Sequence, residues 1–288
     1  MFGFKNPHTA NDNTSGTITI TRILETLEPE FRNKVCAVYF DNEEKGRVGA
    51  LENKHIQGYY RYWDSLIYNN PGLWIDSCAS GGRRNDLETL RRSVPLHYTD
   101  VGYGNHPIKQ CQHQIHFEWI PYFRAHNMSW DNEEGGYEPR LEHKKCDEFA
   151  YQNAMTPSIT VMTEAWGDDD EFELGRKMLP IWRRAAEIEL RADYFPVTKS
   201  TKINKELYAV EFSDNKAGDG FVHVIRNTLC DTDTITVKLH VCNKSKYVVE
   251  NPVSKEVMTV SGETLTSGFT ITLPKRSGVI WFYKKVVD

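Results

Sequence analysis

The sequence predicts an α/β body followed by an antiparallel β-domain. Two observations carry this. Up to about residue 195, short apolar runs alternate with stretches of helical periodicity, the pattern of βα units around a parallel sheet. From Asp193 onward, strand-like runs follow one another with turn residues between them and no helical pattern, which points to an antiparallel sandwich. The expected division is 1–195 and 196–288, with the join near 194–200 and residues 1–26 left without a structural assignment. A chain of 288 residues suffices for one large domain or two ordinary ones.

The elements follow in order. Residues 1–16, MFGFKNPHTANDNTSG, are polar and turn-rich and lack the apolar core of a signal peptide, so a cytoplasmic location is expected. Residues 56–68 have apolar and aromatic side chains at helical spacing, and Asn69-Asn70-Pro71-Gly72 is a clear stop. Residues 73–76 (LWID) fit a short buried strand, 86–92 (DLETLRR) a helix, and 94–98 (VPLHY) another strand. Residues 149–155 are helical in character, and 158–162 are β-branched and strand-like. The stretch 171–190 predicts a long amphipathic helix with Leu174, Met178, Ile181, Trp182, Ala185 and Ile188 on one face. Beyond it, strands are expected at 207–212, 221–225, 234–239, 269–273 and 278–283, with turns at Asp214-Asn215-Lys216 and Ser261-Gly262-Glu263.

Composition excludes several classes of function. With 35 basic and 40 acidic residues the formal charge is −5, which argues against nucleic acid or an anionic membrane as partner. No stretch approaches the ~20 apolar residues of a membrane span. The six cysteines are scattered, with no CxxC pair and no Cys/His cluster at zinc spacing, so free thiols and no metal are expected. The run Asp168-Asp169-Asp170-Glu171 reads as a solvated helix N-terminus, and His113 and His116 as packing or surface residues. Trp166 could wall a pocket or sit in the core.

Chemistry concentrates in residues 74–100, WIDSCASGGRRNDLETLRRSVPLHYTD. The segment reads strand, glycine-rich turn, helix, strand, carboxylate. In parallel α/β folds, functional groups collect at the carboxyl ends of strands. Asp76, Cys78 and the turn Ser80-Gly81-Gly82 follow one such end, and Asp100 follows the next. Gly81-Gly82 lets the backbone come close to a ligand where a Cβ would obstruct, although a tight turn without a ligand would use the same residues. The phosphate-binding pattern GxxxxGK[ST] is absent. Arg84 and Asp86 are either an ion pair at the start of a helix or ligand contacts.

The string Cys78-Ala79-Ser80-Gly81-Gly82-Arg83-Arg84-Asn85-Asp86 resembles the CxSGGxRxD signature of glycoside hydrolase family 36, the α-galactosidases. Residues 57–64 (QGYYRYWD) are similar to the helix before that signature, and 192–198 (ADYFPVT) to the join with the C-terminal β-domain. The resemblance covers roughly residues 40–288. It implies a partial (β/α)8 (TIM) barrel, its second half, followed by an antiparallel β-sandwich. It also implies a retaining glycosidase acting on terminal α-galactosyl groups of oligosaccharides or other glycosides, without metal or organic cofactor. Such an enzyme uses two carboxyl groups, a nucleophile and an acid/base. By resemblance Asp100, in Tyr98-Thr99-Asp100, is the acid/base; the family more often has Ser before that Asp. Cys78 and Gly81, with Ser80 and Gly82 of the same turn, would lie beside the galactose ring. Arg84 and Asp86 would brace the turn, and Asp76 stands where the family often has Asn or Glu.

The sequence departs from the family at the nucleophile. The expected motif, like KWDMN or R-x-DFN, is absent. Glu30, in Glu28-Pro29-Glu30-Phe31, and Asp41, in Tyr39-Phe40-Asp41-Asn42, are the candidates that spacing offers. The family's N-terminal β-domain and the first half of its barrel also have no counterpart, and half a barrel leaves open sheet edges. Three expectations follow: a truncated product, a split gene whose separate chain (or a homo-oligomer) completes the site, or a chain repurposed without catalysis. Two other functions stay open, a non-catalytic carbohydrate-binding or structural remnant and an α-N-acetylgalactosaminidase.

Overall fold

A computed structural model describes residues 48–77, 86–95, 106–119, 122–127, 129–130, 144–161, 169–200 and 205–287. They fall into two units, 1–74 and 75–288. In the first, helix α1 (Val48–Asn69) starts eight residues before the expected point. It stops where the sequence says it should: Asn70 Nδ2 donates to Leu66 O at 2.9 Å, and Gly72 takes φ +89°, a conformation that favours glycine. Trp63 is buried with its ring 4.3 Å from that of Tyr59, whereas Tyr62 and Tyr68 are exposed. An alanine Cβ at Gly58 would meet nothing within 4 Å. Gly58→Ala is therefore expected to stabilise α1 by about 0.5–1 kcal/mol, read as a small rise in helical signal and melting temperature.

The expected buried strand 73–76 is corrected. Leu73 N still bonds Asn70 O at 3.0 Å, so the chain is turning there, and Trp74 is 71% exposed. Extended pairing begins only at β1 (Asp76–Ser77), which opens the second unit and runs parallel to β2 (Val94–Pro95). Between them, helix α2 (Leu87–Leu90) is shorter than the expected 86–92.

Helix α3 (His106–Trp119) has no counterpart in the sequence reading, because its buried face is polar rather than apolar. His106, Lys109, Gln110, His113, Gln114 and Phe117 recur every three to four residues and are all buried. Burial of Lys109, Gln110 and Gln114 is tolerable because each donates a hydrogen bond. Lys109 Nζ donates to His126 O at 2.6 Å, Gln110 Nε2 to Asn153 Oδ1 at 2.7 Å, and Gln114 Nε2 to Thr198 O at 2.8 Å. Asn227 Nδ2 donates to Gln110 Oε1 at 2.8 Å, closing the chain of contacts.

A second parallel pair joins β3 (Arg124–His126) to β6 (Ser158–Thr160), and a short antiparallel pair joins β4 (Ser129–Trp130) to β5 (Lys144–Lys145). Helix α4 (Glu148–Gln152) is capped by Asp147, whose carboxylate accepts from Ala150 N at 2.9 Å. Helix α5 (Asp169–Glu189) matches its expected span, with Met178, Ile181, Ala185 and Ile188 buried.

Residues from Asp193 onward form one six-stranded antiparallel sheet in the order β12-β11-β14-β9-β8-β7. The strands are β7 (Asp193–Pro196), β8 (Tyr208–Asp214), β9 (Asp219–Arg226), β11 (Lys246–Asn251), β12 (Glu256–Ser261) and β14 (Ser277–Lys285). A separate pair, β10 (Thr234–Val237) with β13 (Phe269–Thr272), is also antiparallel. The sheet buries both faces, so the period-2 alternation sorts apolar residues between two cores. Tyr208, Val210, Phe212, Phe221, Ile280 and Phe282 meet Phe117, Phe149, Met178 and Ile181 of α3–α5. Leu207, Ala209, Val222, Val224, Val279 and Trp281 meet Val237 and Ile271 of the small pair. One expectation is corrected here: Ser261-Gly262-Glu263 is not a turn but the start of helix α6 (Gly262–Ser267), with Ser261 Oγ accepting from Thr264 N at 3.1 Å.

The buried titratable groups set an expected pH optimum of stability. Burial holds the imidazoles of His106 and His113 well below the ordinary range. It pushes His223 down to about 3, and Gln152 Oε1 lies 2.9 Å from its Nε2. The unfolded chain takes up these protons near pH 6.5 and the folded chain does not, so stability falls as pH drops below that value. Burial pushes Glu189 up to about 8, and its Oε2 accepts no hydrogen bond among the described residues. The folded chain therefore keeps a proton that the unfolded chain has lost, and stability falls as pH rises toward 8. Burial raises Glu211 in the same sense. Urea unfolding from pH 5 to 9 should show a maximum near 6.5, with an acid limb on the order of 2 kcal/mol per pH unit. Glu189→Gln should flatten the alkaline limb; a flat profile in the wild type would refute this account.

Candidate active site

Because β1 and β2 are parallel, both end at the same edge of their pair, at Ser77 and Pro95. Val94 N donates to Ile75 O at 2.9 Å and Ser77 Oγ to Val94 O at 3.3 Å, so the pairing is made by both backbone and side chain. The sequence continues from these two ends into the glycine-rich turn and into the segment carrying Asp100. Cys78, Ser80, Gly81, Gly82, Arg84 and Asp100 lie outside the described residues, as do Glu30, Asp41 and Trp166.

Two of the sequence-selected residues are described. Asp86 is the N-cap of α2: its Oδ1 accepts from Thr89 N at 2.9 Å and its Oδ2 from Thr89 Oγ1 at 2.7 Å. Thr89 is buried, and Ser93 Oγ donates to its carbonyl at 2.9 Å, so the helix that follows the signature turn is tied down at both ends. On its outer side Arg92 and Arg91 pair with Glu88 and hold that carboxyl below its usual range.

Asp76 is held differently. Arg124 Nη1 donates to Asp76 Oδ2 at 2.8 Å, and Arg124 Nε donates to Ser158 Oγ at 3.0 Å. One guanidinium thus ties the β1–β2 pair to the β3–β6 pair. The Arg124 side chain is 18% exposed and that of Asp76 44%, so the carboxylate faces solvent while its partner is mostly covered. Sequence reasoning missed Arg124, which sits in no motif. The only available signal was a basic residue opening a short strand-like run. Chemically, the arrangement offers a half-exposed carboxylate fixed through one oxygen, suited to accepting a hydroxyl hydrogen bond. Among the described residues, no group of three or more His, Cys, Asp or Glu is placed to hold a metal, and no helix is long and apolar enough to cross a membrane.

The fold has counterparts among solved structures. Its likeness is to the C-terminal region of the glycoside hydrolase family 36 α-galactosidases. The galactosidase domain of the α-galactosidase-sucrose kinase AgaSK superposes with a TM-score of 0.64 at 16% identity, over 83% of this chain and 32% of that one. The α-galactosidase AgaA from Geobacillus stearothermophilus superposes with a TM-score of 0.63 at 17% identity, over 87% and 34%. A variant of AgaA in complex with 1-deoxygalactonojirimycin gives 0.61 at 15% identity, over 96% and 38%; other AgaA variants are known in complex with raffinose and stachyose. The chain spans about a third of the length of these structures. No family model and no curated protein matches the sequence.

Proposed function

We propose that this chain is the C-terminal part of a retaining glycoside hydrolase of α-galactosidase type, acting on terminal α-galactosyl groups of oligosaccharides. The observation that carries the reading is the parallel pairing of β1 with β2, in a chain whose fold is like that of α-galactosidases. It brings to one sheet edge the strand leading into the signature turn and the strand leading toward Asp100. In this reading the residues before β7 belong to half of a (β/α)8 barrel and those from β7 onward to a β-sandwich.

Asp100 protonates the glycosidic oxygen as the leaving group departs and then takes a proton from the water that releases the sugar. Cys78, Ser80, Gly81 and Gly82 line the galactose ring, Arg84 and Asp86 brace the turn, and Asp76 accepts a sugar hydroxyl. The nucleophile is supplied by Glu30 or Asp41, or by a separate chain. The test is to incubate the purified protein with raffinose and follow galactose release by proton NMR. Initial appearance of the α-anomer supports a retaining hydrolase. The absence of the K/R-x-D-F/M-N motif favours a second reading, a carbohydrate-binding remnant; binding of 1-deoxygalactonojirimycin without turnover would select it. A protein that neither binds nor hydrolyses would refute both.

A further inference from the structure

We propose that Arg124 is a positioning residue that sets the orientation of Asp76 for a sugar hydroxyl. The inference rests on the reading above, which places Asp76 in the substrate site. Three observations converge on Arg124. Its guanidinium is bonded at both working ends, to Asp76 Oδ2 at 2.8 Å and to Ser158 Oγ at 3.0 Å. Ser158 is also its direct register partner across β3 and β6, so the anchor belongs to the sheet itself rather than to a loop. Finally, it is mostly covered while the carboxylate it holds is nearly half exposed. The ion pair is therefore asymmetric, with a rigid donor on the protein side and an acceptor presented outward.

The terminal torsion of an aspartate is broad, so an unrestrained Asp76 would sample many carboxylate planes. Arg124 fixes one oxygen, and Oδ1, which accepts no hydrogen bond from the described residues, is left to a ligand. Holding an acceptor in place before the ligand arrives lowers the ordering entropy of binding, and the gain is in affinity rather than in the bond-breaking step. The ligand class is a neutral polyol donor such as a hexopyranoside, since Oδ2 already carries its cationic partner.

The test compares Arg124→Gln, Arg124→Lys, Asp76→Asn and the double variant Asp76→Asn/Arg124→Gln. Binding of methyl α-D-galactoside is measured by NMR titration, and kcat and KM on an aryl α-galactoside wherever the wild type turns over. Arg124→Gln and Asp76→Asn should each weaken binding by about tenfold, and the double variant by no more than either single one, because the two residues act as a unit. Arg124→Lys keeps the charge but not the two-pronged geometry and should recover only part of the loss. KM should rise and kcat stay within about twofold. If Arg124→Gln fails to fold, Ser158→Ala removes the Nε anchor alone and should weaken binding by about threefold. Unchanged affinity in the folded Arg124 variants, with affinity lost in Asp76→Asn, overturns the positioning role and leaves the functional reading standing. Additive losses in the double variant overturn it as well. A wild type that binds no galactoside overturns both.

Discussion

Asp100→Ala is expected to lower kcat/KM on raffinose by about 10²–10⁴-fold, the range for loss of a positioned acid/base. The size of the effect should depend on the leaving group. A sugar alkoxide leaves slowly without a proton, so raffinose hydrolysis should suffer at the first step. An aryl oxide of low basicity needs little protonation, so an aryl α-galactoside should lose less there and show its deficit in release of the enzyme-bound sugar, where Asp100 would act as base. A smaller loss on the aryl substrate than on raffinose, with the sugar still bound, identifies the acid/base by its chemistry. Equal losses on both would point instead to a binding or structural role. Unchanged activity would remove Asp100 from the mechanism.

Gly220→Ala is expected to destabilise the fold by about 3–5 kcal/mol, combining overpacking with an orphaned buried polar group. Gly220 lies on β9, and an alanine Cβ would stand 2.3 Å from Phe212 O and 2.4 Å from Tyr283 Oη. The first is backbone of the neighbouring strand and the second belongs to a buried ring, so neither can yield cheaply. Tyr283 Oη donates to Glu211 Oε1 at 2.8 Å. Glu211, fully enclosed, also accepts from His240 N at 2.8 Å and lies 2.7 Å from His240 Nδ1, whose ring stacks on Phe195 at 3.7 Å. Displacing the tyrosine strips this carboxylate of one of its donors. Tyr283→Phe isolates that part and should cost about 1–2 kcal/mol. Chemical denaturation of the two variants separates the terms, and a Gly220→Ala protein within 1 kcal/mol of wild type would show that the sheet can open at this point.

Much of the fold was legible in the sequence wherever one face of an element is apolar. Helix α5 was readable because Met178, Ile181, Ala185 and Ile188 recur on one side and are buried there. Strands β8, β9 and β14 were readable from their β-branched and aromatic runs. Helix α3 was not, because its inward face carries Lys109, Gln110, His113 and Gln114, which a hydrophobic period cannot detect. Strands β11 and β12 escape a periodicity reading because their polar and charged residues dilute the apolar alternation, and β12 lies at a sheet edge where its residues stay largely exposed. For the candidate site, the signature around Cys78 and Asp86 is local and could be read directly. The partner of Asp76 could not, since Arg124 lies 48 positions away and acquires its meaning only when two parallel pairs are brought together.

The two-sided burial of the six-stranded sheet limits where the chain can be cut. A fragment cut at the start of β8 would carry Tyr208, Val210, Phe212, Phe221, Ile280 and Phe282 on a naked apolar face, an invitation to aggregation. It would also strand Asn227 and His223, whose partners Gln110 and Gln152 lie on α3 and α4. The β-rich segment expressed by itself is therefore expected to aggregate. The strands and the helices that roof them, from α3 onward, form one packing unit.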